Sequence, residues 1–126
     1  MAYDQALTQR LREIIADRDD IVERKMFGGL AVMLSGNMCC GIVGEDLMAR
    51  VGPGQYQSAL SQAWVRKMDF TGKALKGFVY VGSRGIESDE ELENWVKRCE
   101  DFVVSLPAKQ PVVMLVFNAA TRMTDH

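Results

Sequence analysis

Short apolar segments separated by very short turns fill residues 22–51, and this pattern constrains the fold more than any other feature of the chain. The segments are 22–26, 30–34, 38–43 and 47–51, and "SGN" and "GED" separate the last three. Turns of this length join neighbouring antiparallel strands. The pattern therefore predicts an antiparallel meander of three or four strands.

The second segment, "LAVML" at 30–34, is apolar at every position. Successive side chains of a strand point to opposite faces, so both faces of this strand are apolar. We expect one face to pack on helices and the other to be available to a partner.

Helical patterns lie before and after the strands. Asp4 is a candidate cap for a first helix, in which Leu7, Leu11, Ile14 and Ile15 form one apolar stripe. A short helix is predicted over 55–62, behind the breaker "GPGQ", and strand-like segments follow at 64–70 and 75–82.

The last helix has the clearest signals. Ser88 and Glu91 have the spacing of a capping box, and Pro107 ends the helix. Its apolar stripe consists of Leu92, Trp95, Val96, Cys99, Phe102, Val103 and Leu106. Helices segregated from an antiparallel sheet predict a two-layer α+β fold of order α-β(3-4)-α-β(1-2)-α.

The length of 126 residues fits one domain, which we assign to 1–109. Residues 110–126 form a C-terminal tail that contains the strongly β-forming run "VVMLVF" at 112–117. We expect this run to add a strand to its own sheet or to dock on another protomer as a dimer arm, and a disordered end is the third alternative.

Composition argues against several classes of protein. A net charge of −2 gives no overall attraction to nucleic acid or membranes, and the absence of a long apolar run predicts a cytoplasmic protein without a secretory leader. Cys39 and Cys40 are adjacent and should point to opposite faces of a strand, while Cys99 lies far away. The only histidine is His126, so we expect no metal, no cofactor and no Ser–His or Cys–His catalytic pair.

The glycine pair Gly28-Gly29 raises the question of a phosphate-binding loop. Such loops place glycines between a strand and a helix N-terminus, whereas these glycines precede an apolar strand and match neither common nucleotide motif. The acidic pairs of the chain lie at turns and helix starts. We therefore interpret the glycines as structural and predict no catalytic residues.

Charge is distributed unevenly along the second half of the chain. Residues 66–84 hold five basic side chains against one acid, and 87–101 hold seven acids against two basic residues. These are two solvated faces, an interaction surface, or a basic strand pair that follows a nucleic-acid backbone with aromatic side chains interleaved. The basic residues are Arg66, Lys67, Lys73, Lys76 and Arg84, and the aromatic residues are Trp64, Phe70 and Phe78.

The stretch "RKMFGGLAVMLSGNMCCGIVGEDLMARVGP" resembles the TfoX N-terminal domain family, whose signature is basic-basic-Met-Phe-Gly-Gly. The matching residues are Arg24, Lys25, Met26, Phe27, Gly28 and Gly29, and later Gly36, Asn37, Met38, Leu47, Arg50, Val51 and Gly52. Gly72, Lys73, Gly77, Phe78, Val79 and Val81 match a further motif, and Trp95-Val96 and Leu106-Pro107 match the terminal helix. The resemblance spans roughly 5–109.

The resemblance implies an α+β fold like that of secretion chaperones, frequent homodimerisation, and a role as a coactivator of competence genes alongside the cAMP receptor protein. It implies no catalytic residues. Phe27 is expected to anchor the meander, with Gly28 and Gly29 allowing the strand to bend over it. Arg24, Lys25 and Arg50 would form an anionic docking point if their strands are neighbours.

We therefore expect a small cytoplasmic regulatory or adaptor protein that acts by protein–protein contact, as a homodimer, with the transcription machinery as the partner implied by the resemblance. A nucleic-acid-binding accessory protein that uses residues 66–84 is the alternative, and a small-ligand binder or enzyme is the second alternative.

Overall fold

The computed structural model describes residues 4–16, 18–26, 28–70 and 73–107. The helices are α1 (Gln5–Ile14), α2 (Tyr56–Leu60) and α3 (Asp89–Val103), with short 3₁₀ turns at Pro53–Gln55 and Ser83–Ile86. The strands are β1 (Ile21–Met26), β2 (Gly29–Leu34), β3 (Asn37–Val43), β4 (Asp46–Arg50), β5 (Val65–Phe70) and β6 (Lys73–Val81). The predicted α+β class and element order are confirmed.

All six strands form one antiparallel sheet in the order β1-β2-β3-β4-β6-β5. The first four strands form the predicted meander. The chain then passes through α2 to the far edge at β5 and returns as β6 between β5 and β4. Residues 110–126, the predicted tail, lie outside the described part of the chain.

Both predicted helix starts are confirmed by their hydrogen bonds. The Asp4 carboxylate accepts the backbone N–H of Leu7 at 3.0 Å. At the start of α3 the Ser88 hydroxyl accepts from the Glu91 N–H at 3.0 Å, and the Glu91 carboxylate accepts from the Ser88 N–H at 3.0 Å. This capping box fixes the register of α3, and therefore the side of α3 that faces the sheet.

The helices described pack on one face of the sheet, which we call the helix-covered face. Its core joins side chains from all three helices to alternate strand residues. The predicted α3 stripe is buried except for Phe102 and Leu106, which are half-buried, and α3 ends at Val103, before Leu106 and Pro107. The α2 helix contributes Tyr56 and Ala59 to the core. Strand residues of this core include Val32, Leu34, Ile42, Leu47, Ala49, Val79 and Val81.

A bulge in the second hairpin overturns one prediction from the sequence. The register between β2 and β3 shifts at Val32/Met33, so β3 has an extra residue at this point. Cys39 and Cys40 consequently share the core of the helix-covered face instead of pointing to opposite faces. The hydrogen bond between the two thiols is the largest of the effects that raise the pKa of Cys40, with burial second. Alternation fails here because a bulge interrupts the two-residue period.

Both glycines of the signature pair are required by the backbone geometry, each for a different reason. Gly28 has φ +74°, a left-handed conformation that suits the β1–β2 turn. Gly29 begins β2, and a Cβ there would lie inside contact distance of the Ile42 carbonyl oxygen on the neighbouring strand. Phe27, expected to anchor the meander beneath these glycines, lies outside the described residues.

Candidate interaction surface

The second face of the sheet holds a separate apolar cluster made of strand residues alone. Its floor is buried, and its surrounding side chains are partly exposed. We call this surface the methionine face, and its members are Met26, Ala31, Met33, Met38, Met48, Met68, Phe78 and Tyr80. In the part of the chain that the structure describes, each helix with buried side chains contributes them to the other face.

One row of paired residues crosses all six strands on this face. The register pairs Arg24 with Ala31, Ala31 with Gly41, Gly41 with Met48, Met48 with Tyr80, and Tyr80 with Arg66. Neighbouring strands lie about 4.8 Å apart, so the two arginines at its ends are about 24 Å apart. The surface is therefore an apolar band with a cation at each edge of the sheet.

The middle of this band is recessed relative to its surroundings because small residues form part of it. A Cβ on Gly41 would lie 2.6 Å from the Met48 methyl carbon and 2.5 Å from the Leu30 carbonyl oxygen. The Met48 side chain thus occupies space that only glycine leaves open, and Ala31 next to it is also small. Ala31 and Met48 are fully buried, whereas Met26, Met33 and Met38 around them are half-buried. The result is a shallow floor with a rim of flexible thioether side chains.

Arg50 lies at the end of the inner strand β4 and contacts aromatic rings from both sides of the sheet. Its guanidinium donates to the Met38 carbonyl oxygen at 3.1 Å and lies 5.2 Å from the Phe78 ring centre and 5.5 Å from that of Phe102 on α3. Burial lowers the pKa of Arg50. A guanidinium held between two rings with a carbonyl acceptor remains cationic and adds positive charge at the end of β4.

Arg66 lies on the edge strand β5, at one end of the row. It makes an ion pair with Asp46 at 2.6 Å and lies 4.8 Å from the centre of the Tyr80 ring. More than half of the Arg66 side chain is exposed, at 57%. The arginine therefore holds Tyr80 in place while keeping its outer surface in solvent.

The predicted docking point of Arg24, Lys25 and Arg50 does not form. β1 and β4 are separated by β2 and β3, so Arg24 and Arg50 lie on strands that are not neighbours. Lys25 pairs with Leu30 and points away from the face that carries Arg24 and Ala31. Of the basic-basic-Met-Phe-Gly-Gly signature, Arg24 and Met26 lie on the methionine face, where Met26 pairs with Gly29.

The predicted basic surface over 66–84 is divided between the two sides of the sheet. Arg66 pairs with Tyr80 on the methionine face, whereas Lys67 pairs with Val79 on the helix-covered face. Lys76 is exposed, and the side chain of Lys73 lies outside the described part. Among the side chains that the structure describes here, Arg66 and Lys67 are on opposite faces and do not form one basic stripe, because neighbouring strand residues alternate between faces.

A groove beside α3 brings together Trp64 and Trp95. Arg84 lies 5.2 Å from the Trp64 ring centre, and Arg98 lies 4.5 Å from that of Trp95 while donating to the Gln55 side-chain oxygen at 3.0 Å. These arginines are thus engaged with rings and an amide of the same chain.

The methionine face was only partly foreseen from the sequence. The apolar run 30–34 indicated a second apolar face, but most of the residues that form this face were not predicted from the sequence. Met26, Met33, Met38, Met48 and Met68 come from five different strands, and they are all the methionines in the part of the chain that the structure describes. Alternation along each strand would have assigned four of them to this face. The face of Met38 could not be assigned in this way, because the bulge in β3 interrupts the alternation.

The described ranges hold no group of three or more potential metal ligands. None of the helices has the length and apolar character required to cross a bilayer.

The comparisons with known proteins give one match. The model of the TfoX N-terminal domain family matches residues 13–103. No curated protein and no solved structure matches the chain.

Proposed function

Because the chain belongs to the TfoX N-terminal domain family, we propose that it is a regulatory or adaptor protein that acts by protein–protein contact through its methionine face. The observation that carries this proposal is the sheet face itself, which presents partly exposed Met33, Met38, Phe78 and Tyr80 around a buried floor. Contiguous apolar patches on small proteins mark binding surfaces.

The composition of this face suits recognition of a peptide segment. Methionine is unbranched and polarisable, so a methionine surface adapts to partners of different shape. The band ends in Arg24 on one edge and Arg66 on the other. The partner that fits is an amphipathic segment with an apolar stripe in its middle and acidic residues toward its ends.

The proposal places the protein in the cytoplasm, where its free cysteines remain reduced. The family resemblance suggests the transcription machinery of competence genes as the source of the partner. Homodimerisation, which the resemblance also implies, is a prediction that size measurement of the full chain tests.

The test is affinity capture by the tagged full chain from host lysate after nuclease treatment. Met33→Glu places a charge on the half-buried rim of the methionine face. Val104→Glu is the matched control, because Val104 is 60% exposed on the segment after α3. Thermal unfolding of both variants checks that they are folded.

We expect protein partners that survive nuclease treatment, are lost with Met33→Glu and are retained with Val104→Glu. Arg24→Glu should weaken the same partners if they carry acids beside the apolar stripe. Equal capture by both glutamate variants would overturn the proposed surface. Loss of every partner on nuclease treatment would replace the proposal by the nucleic-acid alternative.

A further inference from the structure

We propose that the groove between Trp64 and Trp95 binds a short proline-containing peptide segment with a basic residue at one end and an acidic residue at the other. The groove has a volume of about 620 Å³, which lies within the usual range for ligand pockets. None of its lining residues belongs to the methionine face. The inference therefore goes beyond the proposed function and assigns the chain a second binding site.

Trp64 is the exposed aromatic residue of the groove, and its backbone conformation is unusual. Its φ is +69°, a left-handed value that bulky L-residues rarely adopt, and the residue is 54% exposed. The Trp64 carbonyl oxygen accepts the Gly82 N–H at 2.7 Å, and a Cβ on Gly85 would lie 3.4 Å from the Trp64 Cβ. The surrounding chain thus holds a strained residue whose large ring is left in solvent. Strained backbone of this kind is concentrated at functional sites.

The rest of the lining comes from one stripe of α3. Its residues follow the i, i+3, i+4 and i+7 spacing of a helix face. They are Glu91, Asn94, Trp95 and Arg98. Seven residues of α-helix extend about 10.5 Å, which corresponds to three or four residues of polyproline II at about 3.1 Å each. The groove therefore has the length of a short extended peptide.

The groove offers the two kinds of group that recognise a polyproline II segment. Such segments dock in aromatic-lined grooves, where proline rings pack on flat aromatic surfaces. Their backbone has no internal hydrogen bonds, so the carbonyl oxygens accept from donors on the protein. The side-chain amides of Gln62 and Asn94 line the groove and are donors of this kind. Proline also loses little conformational freedom on binding, which suits a groove open to solvent.

Charge differs between the two ends of the α3 stripe. Glu91 accepts from Ser88 through Oε1 alone, so its second carboxylate oxygen is not needed for the capping box. Residues 87–93 around this end hold five acids and no basic residue. At the other end, Arg98 is a half-buried cation that donates to the Gln55 side-chain oxygen at 3.0 Å. The peptide that fits has its basic residue at the Glu91 end and its acid at the Arg98 end.

The same charges favour a peptide over a single-stranded nucleic acid. Nucleic-acid bases would stack on exposed aromatic rings such as Trp64. Their phosphate backbone, however, would lie beside the acids of 87–93, where it is repelled. A peptide brings a positive charge to this end of the groove instead.

The experiment is binding of a fluorescein-labelled hexapeptide to the full chain, read by fluorescence anisotropy. The probe has four prolines between a lysine and a glutamate, and a matched peptide has four alanines in their place. Tryptophan emission with the unlabelled peptide is a second readout, because both tryptophans of the chain line the groove. Oligothymidylate is the competitor that tests for nucleic acid.

Three variants locate the site. Trp64→Gly removes the ring and relieves the left-handed backbone, so it should stay folded and bind the peptide about tenfold more weakly. Glu91→Gln keeps a capping-box acceptor but removes the charge, and should weaken binding about threefold. Met33→Glu, on the methionine face, is the control and should bind as the wild-type protein does. Thermal unfolding checks that each variant is folded.

We expect the proline peptide to saturate the wild-type protein below about 1 mM and the alanine peptide to bind about tenfold more weakly. Equal binding of the two peptides, no binding of the proline peptide, or unchanged binding by Trp64→Gly would overturn the inference. Tighter binding of oligothymidylate in the same groove would also overturn it, in favour of nucleic acid. Each of these results leaves the methionine face untouched, because Met33→Glu tests that surface separately.

Discussion

The two faces of one sheet are built from different kinds of side chain. The helix-covered face uses Val, Ile, Leu and Cys residues locked against α3, whereas the methionine face uses Met with Phe78 and Tyr80 and is bordered by arginines. Branched side chains have few rotamers and specify one packing, while methionine has three flexible bonds and tolerates several. The comparison indicates that one face fixes the fold and the other is suited to a replaceable contact.

Removing side-chain volume should give the largest difference in stability loss between the two faces. Leu47 is fully buried on the helix-covered face, so Leu47→Ala should lower the free energy of unfolding by about 3 kcal/mol through lost burial and a cavity. Met33→Ala, on the half-buried rim of the other face, should cost about 1 kcal/mol or less because the site relaxes into solvent. Urea unfolding measures both, and similar losses would contradict the division of roles.

Adding side-chain volume should destabilise the closely packed floor of the methionine face. Gly41→Ala places a Cβ against the Met48 methyl and the Leu30 carbonyl, so we expect a loss of about 2 kcal/mol. The control is Gly54→Ala, where the Cβ meets open space and the backbone has no positive φ. A tolerated Gly41→Ala, measured by the same unfolding curves, would show that the floor of the methionine face is not closely packed.

Alkaline pH should act through the helix-covered face. Burial raises the pKa of Cys99, and the hydrogen bond with Cys39 followed by burial raises that of Cys40. Thiols of the unfolded chain ionise near pH 8.5 while these two stay protonated, so the unfolded state binds fewer protons. Stability is then fully present below this pH and falls as pH rises, by about 1.4 kcal/mol per pH unit for each thiol.

This loss is measured by urea unfolding between neutral and mildly alkaline pH with a reductant present. Cys99→Ala should reduce the slope of stability against pH, because one titrating thiol is removed. An unchanged slope in this variant would mean that Cys99 is not the group responsible.

The smallest effect is expected at the edge of the methionine face. Asp46→Asn removes the charge that pairs with the exposed Arg66, and exposed ion pairs contribute about 0.5 kcal/mol. The same change frees a cation at the end of the band, so capture of an acidic partner should improve while stability hardly changes. Reduced capture would indicate that Arg66 acts on Tyr80 and not on the partner.

The fold was largely accessible from the sequence because its signals are local. The Ser88 capping box, the α3 stripe and the short turns of the meander each arise from neighbouring residues. The placement of Arg24 relative to Arg50 was not accessible in this way, since it depends on how many strands lie between β1 and β4. The Cys39 and Cys40 prediction was wrong for a similar reason, because a bulge depends on the partner strand.

The surface was harder to predict than the core. Alternation along 30–34 indicated two apolar faces. The row from Arg24 to Arg66 can be traced only when the registers of all five strand pairs are known. The basic residues at 66–84 did not predict a single surface, since a charge count along the chain does not record the face to which Arg66 or Lys67 points.

The extra residue in β3 also affects the shape of the sheet. A bulge bends its strand and increases the local right-handed twist. The inserted thiol of Cys39 is buried beneath α3, while the bend lies where Met33 and Met38 pair on the other side. Deleting that single residue would keep Met38 and Cys40 on their present faces and flatten the sheet between them. An extra residue whose side chain lies in the core thus affects the curvature of the surface that a partner would meet.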